Sequence, residues 1–290
     1  MNLNGRRKSS NIVDRRSRAG NIGKIAGGGG IVALLIGLAF TFFGGGGSNL
    51  NIGDIINSTG MLSGQGQSSE LTAEDQELAD FTSTILAGTE DVWTELFRQN
   101  GMRYEPPRLV LFTGSVQSGC GGASASMGPF YCSADRAVYI DLSFFKNMRR
   151  DLGADGDFAY AYVIAHEVGH HVQYLLGTLD EAHEKMSRMS KSDSNKTSVR
   201  LELQADYYAG VWAHHDNKMF GSLEPGDIEE AVNTAQKIGD DYLQKQAQGY
   251  AVPESFNHGT SAQRQRWLQK GLSTGNFSGG DTFTPSYSSL

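Results

Sequence analysis

An α+β domain dominated by helices, with a small β-sheet and one N-terminal transmembrane helix ahead of it, is the fold class this sequence predicts. Three observations carry that reading. The run "IAGGGGIVALLIGLAFTFF" covers residues 25–43 without a charge. Two segments rich in β-branched and aromatic residues, Arg108–Gly114 and Ala137–Phe145, read as strands. Most of the chain from Leu71 onward carries apolar residues at helical spacing.

The first 24 residues hold seven basic side chains and one acid, Asp14. The whole chain is −7, so the part after residue 24 has 18 basic against 31 acidic residues, or −13. An acidic body argues against nucleic acid as a partner. The basic head precedes the apolar run, which as a helix spans about 28 Å, close to a bilayer core. The positive-inside rule then places residues 1–24 in the cytoplasm and the body outside, a single-pass membrane protein. A cleaved signal peptide is the alternative for the same residues, and it exports the body too.

Residues 44–70 are rich in Gly, Ser, Asn and Gln and read as a flexible linker. The folded domain is expected over 71–275. Its first helix is capped by Thr72, with acids in the first turn and Gly88 as a break or kink. The strand pair follows, Val138, Ile140 and Leu142 on one face of the second strand and Tyr139 and Asp141 on the other. Helices are expected near 157–177, 198–216, 226–248 and 260–271. The small, polar tail over 276–290 reads as loose. The two cysteines, Cys120 and Cys132, most simply form one disulfide in an exported domain, contributing about 3 kcal/mol in the chain-entropy picture. Two thiolates alone cannot close a zinc site.

Chemistry concentrates in "AYVIAHEVGHHVQYLLG". On a helix, His166 and His170 lie one turn apart on one face, the spacing at which two neutral imidazoles chelate one Zn²⁺. Glu167 stands beside the first ligand, placed to take a proton from the attacking water and return it to a leaving amine. Gly169 leaves room for a close helix crossing. The plain alternative is a helix whose two histidines meet only surface charge. A third ligand is needed, and "SVRLELQADYYAGVWAHH" is the best source. Glu202 completes a two-histidine, one-glutamate site. Asp206, one turn on, accepts the outer N–H of an imidazole, with His166 its expected partner. A solvated acidic face is the alternative, but Leu201, Leu203, Ala205, Tyr208 and Trp212 make the segment apolar. His171 is rotated about 100° from the metal face. Leu176 stands where a third histidine of the longer HExxHxxGxxH pattern would fall. His183, in a charged stretch, reads as a surface residue, and His214 and His215 are weaker ligand candidates. His258, in "ESFNHGTSAQRQRWL", reads equally as an oxyanion donor or a structural turn residue, with Arg264 or Arg266 anchoring carboxylates nearby.

With these residues in view, the chain resembles the bacterial neutral zinc metallopeptidases, the YpfJ-like proteins. The resemblance spans nearly its whole length through "GPFYCSADRAVYIDLSFF", "AYVIAHEVGHHVQ", "ELQADYYAGVWAH" and "FNHGTSAQRQRWL". More distantly the Glu202–Asp206 pattern is similar to that of the gluzincins. The resemblance implies a zincin-like domain, one zinc per chain on His166, His170 and Glu202, Glu167 as general base and Asp206 behind a ligand. It also implies that Ala137–Leu142, or the loop Ser124–Tyr131, pairs with an extended peptide or protein substrate. A membrane-anchored zinc endopeptidase is the expected function. The alternatives are a non-catalytic zinc-dependent binding module of the envelope and a zinc hydrolase acting on cell-wall amides.

Overall fold

A computed structural model describes residues 1–16 and 71–290. The expected anchor, 25–43, and linker, 44–70, lie outside the described residues. Among the described residues no helix is long and apolar enough to cross a membrane.

Helices dominate, around one small mixed sheet. Helix α1, Ala73–Gln99, starts where Thr72 predicts. The Thr72 hydroxyl accepts the Asp75 N–H at 3.1 Å and the Asp75 carboxylate accepts the Thr72 N–H at 3.0 Å, a reciprocal cap. Gly88 neither breaks nor kinks it into two helices. A Cβ there would stand 2.6 Å from Arg6 Nη2 and 2.7 Å from Asp216 Oδ1, so this glycine is a notch for an ion pair.

The sheet consists of β1 (Ile12–Asp14), β2 (Arg108–Phe112), β5 (Phe130–Cys132) and β6 (Ala137–Asp141), in the spatial order β1-β2-β6-β5. The first three in that order run parallel and β5 runs antiparallel to β6. The alternation expected in the second strand holds. Val138 and Ile140 join the main core, while Tyr139 faces a smaller one with Phe112 and Phe130. This strand is shorter than expected because the Asp141 carboxylate turns the chain. It accepts the N–H groups of Gly114 at 2.7 Å and Ser143 at 2.9 Å, and Ser143–Asn147 coils into α2. Between β2 and β5 lies a hairpin of β3 (Ser115–Ser118) and β4 (Gly121–Ser124). The Cys120–Cys132 disulfide, S–S 2.02 Å, ties its turn to β5 as the cysteine count predicts.

The remaining helices are α3 (Asp157–Leu175), α4 (Thr178–Met186), α5 (Lys191–Phe220), α6 (Asp227–Lys237), α7 (Asp240–Gln248) and α8 (Ser261–Thr274). The single helix expected over 226–248 is two, because the 257–259 turn docks at the junction: Asp240 N–H donates to the Gly259 carbonyl at 2.9 Å. α5 begins at Lys191, earlier than expected, under a Ser190 cap that accepts the Asp193 N–H at 3.2 Å.

Two boundaries read from sequence need correction. The tail over 276–290 is packed, not loose. Phe277 meets Trp93 and Phe97 edge-on, Arg200 donates to the Thr282 and Pro285 carbonyls, and Leu290 is buried. Likewise the basic head is not separate from a domain that starts at residue 71. Its described part, 1–16, lies on the domain. Strand β1 extends the sheet beside β2, with Ile12 opposite Leu109.

Candidate metal centre

Helices α3 and α5 build the site by crossing at Gly169. A Cβ there would come within 2.9 Å of the Ala205 carbonyl and 3.1 Å of its Cα, so only glycine lets the two backbones approach this closely. That approach brings His166 and His170 from α3 against Glu202 from α5. One ligand atom from each lies within 4.8 Å of the others. His166 Nε2 is 3.2 Å from Glu202 Oε2, and His170 Nε2 is 3.5 Å from Glu202 Oε1. All three residues are buried.

The outer ring nitrogens are spoken for. His166 Nδ1 donates to Asp206 Oδ1 at 2.8 Å, and His170 Nδ1 to Gln173 Oε1 at 2.8 Å. An acceptor oxygen on each Nδ1 fixes a proton there and makes Nε2, the nitrogen facing Glu202, the one each ring can offer to a metal. Two imidazole nitrogens and one carboxylate, with tautomers set from outside, are a donor set that fits a zinc ion.

Asp206, expected behind His166, is the centre of a larger network. It is fully buried and also accepts the Tyr162 hydroxyl at 2.6 Å and Arg264 through Nε at 2.8 Å and Nη2 at 2.9 Å. Burial alone would raise its pKa, but Arg264 and then His166 lower it to about 2. Of the two arginines expected to anchor carboxylates, Arg264 does so, while Arg266 donates to the Leu290 carbonyl at 2.6 Å. Gln173 donates onward to the Leu201 carbonyl at 2.7 Å, fixing its own amide. Tyr162 and Gln173 carry no sequence signal beyond being polar residues in an apolar helix.

Glu167 is buried, and burial raises its carboxyl above the usual range against the pull of His166 and His170. His171 is turned from the metal face as expected: it meets the Tyr131 hydroxyl at 2.9 Å and donates to the Glu105 carbonyl at 2.7 Å. His214 and His215 donate to the carbonyls of Leu272 and Gly275 at the end of α8.

His258 sits on a turn gripped by Asp240. One Asp240 oxygen accepts the N–H groups of Asn257, His258 and Gly259 at 2.8, 2.7 and 3.0 Å; the other meets His258 Nδ1 at 3.0 Å. The turn rests on α5, where Ser198 donates to the Asn257 carbonyl at 2.8 Å. Burial pulls the His258 pKa down, but Asp240 and then Glu202 hold it above its usual value. Asp240 has no motif around it and escaped sequence reasoning.

A second trio of acids, Asp157, Asp227 and Glu230, is already answered by a cation. The Met1 amine lies 2.5 Å from Asp157 and 3.3 Å from Asp227.

A helix pair presenting an HExxH motif and a glutamate to one point is a donor arrangement that could hold a metal ion. The family profile described as "Putative neutral zinc metallopeptidase" matches residues 1–283, and the chain belongs to that family. Its relatives include "Uncharacterized protein YpfJ" of Escherichia coli strain K12, 45% identical across 98% of this chain and 99% of the relative. "Uncharacterized protein Rv2575" of Mycobacterium tuberculosis H37Rv is 43% identical over 62% of this chain and 64% of its own length. No solved structure matches the chain.

Proposed function

We propose that this chain is a zinc metalloendopeptidase held at a membrane, hydrolysing peptide bonds in peptide or protein substrates. The observation that carries the reading is the pair of fixed tautomers. With Asp206 and Gln173 holding the outer nitrogens, His166 and His170 offer both inner nitrogens to one cation beside Glu202. Three protein donors suit one zinc per chain and leave a coordination position for chemistry, whereas a purely structural site tends to use four. When bound, zinc supplies Lewis acidity toward water and the scissile carbonyl.

The chain's own groups do the rest. Glu167 takes the proton of the attacking water and delivers it to the leaving amine; a buried carboxyl with a raised pKa suits that exchange near neutral pH. His258, oriented by Asp240 and close enough to Glu202 for each to shift the other, donates to the developing oxyanion. The substrate does not pair with Ala137–Leu142, because β6 is flanked on both sides by β2 and β5. The loop Ser124–Tyr131, which runs into the outermost strand β5, is the remaining edge for an extended peptide. Membrane attachment rests on the sequence alone, through the apolar run 25–43.

Glu167→Gln tests the reading. The zinc-loaded variant should keep one metal per chain and lose peptide hydrolysis by a factor of about 10² or more. Undiminished turnover would overturn it.

A further inference from the structure

We infer that the basic head is a built-in part of the domain, docked through residues 1–16, and that head and domain therefore lie on the same side of the membrane. This is independent of the proposed peptidase chemistry and rests on the proposed membrane attachment through residues 25–43. It reverses the topology that charge counting suggests, in which the head is cytoplasmic and the domain outside.

The first ground is the quality of the docking. Arg6 reaches the notch at Gly88 and grips Asp216 with both terminal nitrogens, at 3.1 and 2.7 Å, stacking its guanidinium 3.8 Å above the Phe220 ring. Asp216 is 1% exposed. Glu90, also buried, receives Ser9 at 2.5 Å, Asn11 at 2.7 Å and Arg7 at 2.9 Å. Ser9 and Ser83 exchange bonds, Ser9 N–H to the Ser83 carbonyl at 3.1 Å and the Ser83 hydroxyl back at 3.2 Å. Without the head, two buried carboxylates of the domain lose these partners and β2 becomes a bare sheet edge. A domain folded alone avoids both arrangements.

The second ground is charge. The positive-inside rule treats the head's basic residues as free. Here Arg6, Arg7 and Lys8 pair with Asp216, Asp91 and Asp80 of the domain at 2.6–2.8 Å, while Arg16 pairs with Asp14 inside the head. These charges are held by acids of the protein itself, which weakens their value as a cytoplasmic signal.

The third ground is connectivity. Arg16 Nη1 donates to the Asp75 carbonyl at 2.6 Å, so the last described residue of the head touches the first turn of α1. The chain leaves the domain and returns to it at one place. One crossing between those points would pull the head off the domain.

The test uses the full chain in native membranes. The two native cysteines are joined to each other, so Ser9→Cys with Ser83→Cys supplies one new pair where the backbones already meet. A protease site is placed within 44–70. After cleavage, the head should stay with the domain on a non-reducing gel and be released by reductant. Separately, Lys8→Cys and the exposed Glu229→Cys should react with a membrane-impermeant maleimide from the same side. A head that is never cross-linked, or Lys8→Cys labelled only from the side opposite Glu229→Cys, overturns the inference.

Discussion

His166 Nδ1 stands 2.8 Å from Asp206 Oδ1, and this contact joins the metal face to a buried cluster that also contains Tyr162 and Arg264. Asp206 therefore has two duties. It sets the His166 tautomer, and it neutralises a guanidinium that has no water to fall back on. Replacing it with Asn keeps the shape and removes the charge. Asp206→Asn should weaken zinc binding about 10- to 100-fold in a chelator competition. It should also cost the metal-free fold about 3 kcal/mol, because Arg264 is left buried without its counter-charge. Unchanged zinc affinity would show that Asp206 serves only the fold.

The same contact makes zinc binding depend on pH. In the metal-free protein, burial pushes the His166 pKa down, but Asp206 and Glu202 more than offset it and raise it to about 10. A group with a raised pKa holds its proton below that value. Metal binding needs the bare Nε2, so below about pH 10 the imidazole must release a proton. Zinc affinity should rise about tenfold per pH unit between about pH 7 and 9. Titration calorimetry in buffers of different ionisation enthalpy should count about one proton released per zinc. Binding without proton release would mean that His166 is already neutral.

His258 separates the catalytic from the structural reading of its turn. If its ring steadies an oxyanion, His258→Ala should lower kcat about 10²-fold with zinc content unchanged. Asp240→Asn, which keeps the backbone clamp in part but loosens the ring, should fall between that variant and wild type. Equal kcat in all three proteins would leave His258 as a turn residue.

The candidate metal site was legible in the sequence because its logic is local. Two histidines four apart on an apolar helix point the same way whatever surrounds them, and Glu202 stood out as an acid in an apolar segment. Arg264 could be suspected but not assigned, since its partner Asp206 is 58 positions away. Tyr162, Gln173 and Asp240 gave no signal, because a single polar residue has no periodicity. The short strands Ile12–Asp14 and Phe130–Cys132 are three residues each, too few to show alternation. Gly88 looked like a helix breaker because a notch and a break read alike until the side chain that fills the notch is known. The docking of the head was hidden for a related reason: the acids that answer its charges are spread from Asp14 to Asp216.

Arg6 gives the sharpest measure of how much the domain depends on the head. Its side chain is 9% exposed and that of Asp216 is 1% exposed, so solvent replaces neither partner when the other is removed. The pair itself adds little over a well-packed apolar contact, but breaking one side strands a charge, at a typical cost of about 3–5 kcal/mol. Arg6→Ala should therefore destabilise the whole protein by about that much in denaturant unfolding. Arg6→Lys should recover only part of it, because a single ammonium cannot reproduce the two-pronged contact. Lys8→Ala, which breaks a pair exposed on both sides, is the control and should change stability by less than about 1 kcal/mol. If Arg6→Ala proves as mild as Lys8→Ala, the head rests on the domain without supporting it, and residues 71–290 would fold unaided.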